Sequence, residues 1–222
     1  MSPAKIALVT GANRGIGLSL VKALQARGMD VIGACRHDSE ALASTGARVE
    51  RLDVTSPESA EALAERLGDT RIDLLINNAG VLRQDQLGAL DFDSLRTQFE
   101  VNSLGPLRVT QALLGKLAPG AKVAVVTSRM GSIADNTSGG MYGYRMSKAA
   151  ANAAGKSLAM DLKDRGHPVV ILHPGWVKTD MTGGRGHLGP DESAAGLLDR
   201  IDAVDLTSTG TFHHANGEEL PW

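Results

Sequence analysis

Tyr144-Arg145-Met146-Ser147-Lys148 places a phenol and an ammonium at positions i and i+4, one above the other if the stretch is helical. A free phenol, with a pKa of about 10, is a poor proton shuttle at neutral pH. A cation beside it favours the phenolate and is expected to lower that value. The pair would then act as a general acid that gives a proton to a carbonyl oxygen and takes it back. Tyr and Lys at this spacing are also common on solvated helix faces, so the meaning of the pair depends on what else the chain carries.

A second constellation lies near the start. The apolar run at 5–9 is followed by Thr10-Gly11-Ala12-Asn13-Arg14-Gly15-Ile16-Gly17, which opens a helical stretch. Gly11 can make a tight turn, Gly15 lets backbone approach a pyrophosphate, and Gly17 permits close helix-to-strand packing. Around Asn13, Arg14 and Ile16 the free N–H groups of the helix start can meet phosphate oxygens. The spacing is one residue longer than the commonest dinucleotide fingerprint, and no Gly-Lys-Ser or Gly-Lys-Thr follows to suggest a Walker loop.

The second apolar run ends Ala34-Cys35-Arg36, where an NAD site would place a carboxylate for the ribose 2′-hydroxyl. Arg36 and Arg14 offer cationic donors suited to a 2′-phosphate instead, so NADP(H) is expected in preference to NAD(H). Two solvated loop arginines would read the same way. Asp53 ends the third run; its carboxylate could accept from an adenine amino group, with the Val54 N–H adjacent, or it could simply precede a helix. Asn77-Asn78-Ala79-Gly80 follows the fourth run, at a strand end of the kind where α/β sheets bind ligands, although alone it is only a turn signal.

The elements that must position these groups are legible from periodicity. Apolar runs at 5–9, 30–34, 48–52, 72–76, 122–126, 169–172 and, more weakly, 210–213 suit strands covered on both faces. Helix-like stretches at 15–27, 57–67, 92–116, 144–165 and 190–201 alternate with them. The expected fold is α/β: a Rossmann-type doubly wound, seven-stranded parallel sheet with helices on both faces, in one domain over 1–222. Residues 182–189 carry Gly183, Gly184, Gly186 and Gly189, and a short flexible lid is expected over about 180–192.

Composition narrows the functional classes. The chain has 222 residues with 26 Gly, a net charge of −2 and one cysteine, Cys35. Lys and Arg form no stripe, which argues against nucleic acid. A lone cysteine makes neither an internal disulfide nor a cysteine metal cluster; no metal is expected, and a reducing, cytoplasmic setting is. The apolar run before Thr10 is too short for a signal peptide or a membrane span. No Gly-x-Ser-x-Gly elbow supports a hydrolase.

The loop at 10–17, Asp53, the turn at 77–80, Asn102, Ser128, Tyr144 with Lys148, and Pro174-Gly175 resemble, in order and approximate spacing, the short-chain dehydrogenase/reductase family. The resemblance runs from residue 5 to about 181. Segments 128–136, 139–148 and 217–222 are most similar to its C-factor and sniffer-like carbonyl reductase branch. The resemblance implies reversible hydride transfer between a nicotinamide and a ketone, aldehyde or secondary alcohol. It implies that Ser128 hydrogen-bonds the substrate oxygen, that Tyr144 donates the proton, and that Lys148 lowers the phenol's pKa and binds ribose hydroxyls. Asn102 would hold a relay water and Thr179 would bond the carboxamide. Pro174, Gly175 and Val177 would border the nicotinamide. Sixteen positions separate Ser128 from Tyr144, a few more than usual, so Ser132 is a second candidate for the serine role. The stretches at 92–116 and 144–165 resemble helices that pair subunits, implying a homodimer or higher homo-oligomer. The C-factor likeness leaves open a second reading, an NADP(H)-binding signalling protein with little turnover.

Overall fold

The computed structural model describes residues 4–222. Seven parallel strands form one sheet in the order β3-β2-β1-β4-β5-β6-β7. They are β1 (Ile6–Thr10), β2 (Asp30–Cys35), β3 (Arg48–Arg51), β4 (Ile72–Asn77), β5 (Leu117–Val126), β6 (Val169–His173) and β7 (Thr211–His214). Because successive side chains point to opposite faces, each strand feeds two cores. Ala7 and Val9 join Ile76, Val126 and Leu172 beneath Leu20 and Leu24 of α1 (Gly15–Ala26) and Leu197 and Ile201 of α7 (Pro190–Ala203). Leu8, Leu75 and Val123 face the other way, against Leu63 of α3 (Pro57–Arg66), Leu113 of α5 (Gly105–Leu113) and Leu162 of α6 (Tyr142–Lys163). Burying both faces explains why the strands read as unbroken apolar runs.

Several elements depart from the sequence expectation. A one-turn helix, α2 (Glu40–Ala43), follows β2; it is too short to show a period, and is held by the Ser39 hydroxyl, which accepts from the Leu42 N–H, with Leu42 fully buried. The stretch 92–116 is not one helix. It runs as α4 (Phe92–Phe99), a π-helical turn (Glu100–Leu104), α5 and a final 3-10 turn (Leu114–Lys116). Pro106 has no N–H to continue the ladder, and the Gly105 N–H reaches back five residues to the Glu100 carbonyl. β5 begins at Leu117, with a register irregularity around Pro119-Gly120. α6 begins at Tyr142, two residues early.

The segment expected to be a lid carries local structure of its own. A 3-10 turn (Asp180–Thr182) leads into a loop that bridges back, the Lys178 N–H donating to Leu188 O at 3.0 Å and the His187 N–H to Trp176 O at 2.8 Å. Residues 190–192 are already the first turn of α7. On the neighbouring edge strand β7, the Leu220 N–H donates to Phe212 O, and Trp222 stacks on Phe212 with ring centres 5.4 Å apart.

Candidate active site

β1 and β4 are neighbours, yet the chain leaves them toward opposite flanks of the sheet, so the loops beyond their carboxyl ends diverge. A cleft of about 400 Å³ opens there. Its floor is tied by Thr10, whose hydroxyl accepts the Asn78 and Ala79 N–H groups, each at 3.0 Å, while the Asn78 amide donates to Thr10 O at 2.9 Å. The glycines are required by contact. A Cβ on Gly17 would lie 2.2 Å from Gly11 O, and one on Gly11, where φ is +65°, 2.9 Å from Ala79 Cα. Gly11, Asn13, Arg14, Gly15, Ile16 and Gly17 line one wall, and Asn78, Ala79 and Gly80 the other. This narrow backbone cradle at a helix start fits a dinucleotide pyrophosphate.

At one end of the cleft, Arg36 donates from Nε to His37 Nε2 at 3.0 Å, and both side chains are exposed. Asp53 and Val54 line the same end. Asp53 Oδ1 accepts from the Thr55 N–H at 2.9 Å and the Thr55 hydroxyl at 2.7 Å. Burial works to raise the Asp53 pKa, but the two Thr55 bonds and the Arg36 and His37 charges outweigh it and hold the carboxyl below its ordinary value. His37 did not emerge from the sequence; its place beside Arg36 at the tip of β2 was the available signal.

The far end gathers Tyr144 and Lys148. Tyr144 is 8% exposed and Lys148 4%. The Lys148 ammonium donates to Val126 O at 3.1 Å and lies 5.8 Å from the centre of the Tyr144 ring. The expected lowering of the phenol's pKa is not met in the folded chain. Burial pushes Tyr144 up to about 12, with the Ser128 hydroxyl beside it pulling the other way, and burial brings Lys148 down to about 8. The loss of water around each charged form sets both directions.

Ser128 caps a 3-10 turn (Arg129–Gly131), its hydroxyl accepting the Met130 N–H at 3.1 Å. That turn lies directly on α6: a Cβ on Gly131 would sit 2.5 Å from the Lys148 carbonyl carbon. Ser132 is engaged elsewhere, donating to Trp222 O at 3.1 Å and accepting from the Asp135 N–H at 3.1 Å. The extra residues between Ser128 and Tyr144 are gathered by Arg145, which donates to Met130 O, Ser138 Oγ and Gly139 O.

Asn102 sits in the π-helical turn, buried and outside the cleft lining. Its amide accepts from the Val81 N–H at 2.8 Å and donates to Val81 O at 2.8 Å and to Ser147 Oγ at 2.9 Å. A Cβ on Gly80 would stand 3.3 Å from Asn102 Oδ1 and 3.5 Å from Lys148 Nζ, so Gly80 marks the junction of the two. Val81 and Ser147 carry no motif of their own and were not foreseen.

Residues 5–187 match the family described as short chain dehydrogenase. This chain belongs to that family. The chain is 48% identical, over 97% of its own length and 98% of the relative's, to 1-hydroxy-2-glutathionyl-2-methyl-3-butene dehydrogenase of Rhodococcus sp. (strain AD45). It is 49% identical to C-signal of Myxococcus xanthus over 68% of this chain and 93% of that one. Among solved structures, the NADPH bound carbonyl reductase from chicken fatty liver superposes with a TM-score of 0.89 at 32% identity, covering 99% of each chain.

The segment after β6 completes the cleft. Pro174 and Thr179 line it together with Asp180 and Met181. Gly175 and Val177 stand behind that wall. A Cβ on Gly175 would meet Leu188 Cδ1 at 2.5 Å, and Val177, 3% exposed, bridges to Leu188. Arg14 reaches across the mouth to Asp180, 3.5 Å away, with both side chains largely in solvent. Among the described residues no group of three or more His, Cys, Asp or Glu could hold a metal ion, and no helix is long and apolar enough to cross a membrane.

Proposed function

We propose that this protein is an NADPH-dependent carbonyl reductase that interconverts a ketone or aldehyde with the corresponding alcohol. The observation that carries this reading is the burial of Tyr144 and Lys148 in the cleft whose other end presents Arg36, with the Ser128 hydroxyl beside the phenol. Gly11, Gly15 and Gly17 would hold the cofactor's pyrophosphate, Asp53 and Val54 the adenine, Arg36 and Arg14 the 2′-phosphate, and Thr179 and Pro174 the nicotinamide. When bound, the reduced nicotinamide supplies the hydride.

The chain's own residues manage the proton and the oxygen. In reduction, Tyr144 gives its proton to the carbonyl oxygen while the Ser128 hydroxyl orients that oxygen, so the developing alkoxide meets two donors already in place. With a pKa of about 8, Lys148 is mostly charged at neutral pH and stabilises the phenolate that Tyr144 becomes. Asn102 bonds Ser147, the residue before Lys148, and so fastens the π-helical turn to the turn of α6 that bears the lysine. We assign it to the path that returns the proton. Phe92, Phe99, Met146 and Met160 stand exposed on α4 and α6 and support a homodimer formed through those helices.

The relative named C-signal supports a second reading, a signalling protein that binds NADP(H) with little turnover. One experiment separates the two: consumption of NADPH and of NADH, followed by absorbance, across a panel of ketones and aldehydes. Turnover with a preference for NADPH is expected. Arg36→Ala is expected to raise KM for NADPH roughly 10- to 100-fold, the equivalent of one charge-assisted bond of about 1.5–3 kcal/mol, and to leave NADH unaffected. Tyr144→Phe is expected to abolish turnover while keeping NADPH affinity. A native preference for NADH would overturn the cofactor assignment, and tight NADPH binding without turnover on any carbonyl would favour the signalling reading.

A further inference from the structure

The loop joining β4 to α4 reaches the helix that bears Tyr144. Its Asp85 carboxylate accepts two backbone hydrogen bonds, from the Tyr142 N–H to Oδ1 at 2.6 Å and from the Gly143 N–H to Oδ2 at 2.9 Å. These are the first two amides of α6, which no carbonyl within the helix can satisfy. The helix cannot cap itself. Met141, at the capping position, offers no side-chain acceptor and has φ of +52°, the one positive value outside glycine among the described residues. The chain therefore turns sharply into α6, and Asp85, 57 residues away in sequence, supplies the cap. A carboxylate at this end also meets the positive pole of the helix.

The same loop is fixed at its other end. Val81 exchanges two hydrogen bonds with the Asn102 amide, and the Arg83 N–H donates at 3.0 Å to Oε1 of Gln98, a side chain with no exposure. Gly143 closes the contact: a Cβ there would lie 2.5 Å from Gln98 Nε2 and 3.2 Å from Asp85 Oδ2. A continuous run of backbone, 81–85, thus links the turn that holds Asn102 to the turn that holds Tyr144.

We propose that Asp85 is a positioning residue for Tyr144, holding the phenol against Ser128 and Lys148 by capping the first turn of α6; the proposal rests on the reading of Tyr144 as proton donor. Tyr144 is the residue immediately after the capped pair, whereas Lys148 lies a full turn deeper in the helix and is held by its own bond to Val126 O. Loss of the cap frays the turn that aims the phenol and leaves the lysine and the cofactor cradle in place. A displacement of about 1 Å in an acid group can cost roughly 100-fold in rate.

The test compares steady-state kinetics of the full chain with NADPH and an accepted carbonyl compound. Asp85→Ala is expected to lower kcat roughly 10- to 100-fold while KM for NADPH stays within about twofold. Asp85→Asn keeps one acceptor oxygen and is expected to recover part of the lost kcat. A folded Asp85→Ala protein with native kcat, an equal loss in kcat and in NADPH affinity, or an Asn variant no better than the Ala variant would each overturn the proposal. If Asp85→Ala does not fold, Asp85→Asn decides alone: reduced kcat at unchanged KM supports the role, and unchanged kcat overturns it. Tyr144→Phe measured alongside separates the two levels. Residual turnover in it sinks the proton-donor reading, whereas an inactive Tyr144→Phe with a fully active Asp85→Ala sinks only the role of Asp85.

Discussion

Lys148 and Tyr144 share one buried wall, the ammonium 5.8 Å from the ring centre and hydrogen-bonded to Val126 O. Burial favours the neutral form of each group, pushing the phenol up to about 12 and the ammonium down to about 8. At neutral pH the pair is a protonated acid beside a cation, which is the state that carbonyl reduction consumes.

The directional consequence is a split pH dependence. Reduction needs the phenol's proton and is expected to hold through neutral pH. Alcohol oxidation needs the phenolate and is expected to climb as pH rises. Replacing Lys148 with Met removes the cation that favours the phenolate, so kcat should fall in both directions and the rise in oxidation should move to higher pH. Profiles of kcat/KM against pH in the two directions check this; an oxidation profile unmoved in Lys148→Met would remove the lysine from the acid–base step.

Gly131 sets how closely Ser128 approaches the acid. A Cβ there meets backbone, the Lys148 carbonyl carbon at 2.5 Å, so Gly131→Ala must push the 3-10 turn away from α6. A loss of about 1–3 kcal/mol in unfolding free energy is expected, together with a fall in kcat that exceeds any change in NADPH affinity. Gly115→Ala is the control, since a Cβ at that position meets nothing within 4 Å. Urea unfolding and steady-state kinetics on both variants give the answer, and equal behaviour of the two would show that the turn adapts freely.

His173 should make the fold acid-sensitive. Burial, then the His214, Arg129 and Lys148 charges, push its pKa down to about 3. An unfolded histidine takes up its proton at about 6.5. Between those values the unfolded chain binds the extra proton, so stability falls as pH drops from about 6.5 toward 3, by at most roughly 1.4 kcal/mol per pH unit from this group. His173→Phe is expected to show a shallower loss across that window in urea unfolding at stepped pH. An identical slope in the two proteins would assign the acid sensitivity to other groups.

What could be read before folding was what local chemistry decides. Apolar runs buried on both faces announce parallel strands, Gly11 and Gly17 announce a close backbone approach, and the i, i+4 spacing of Tyr144 and Lys148 puts them on one helix face whatever surrounds it. Single-residue contacts across the chain carry no such period. Pro106 breaks the stretch 92–116 locally, but that the turn before it would hold Asn102 against Val81 is seen only in the folded chain. The position of Ser132, turned to Trp222 O, depends on a segment 90 residues away.

The sequence by itself determined the order of the elements, the glycine-built cradle and the pairing of Tyr144 with Lys148, because spacing and side-chain size are properties of neighbours in the chain. Only the tertiary structure decided the direction in which Tyr144 and Lys148 titrate and the residue that caps α6. Desolvation depends on how completely other elements cover a group. The carboxylate that meets the Tyr142 and Gly143 amides arrives from a different loop, at a distance no local pattern encodes.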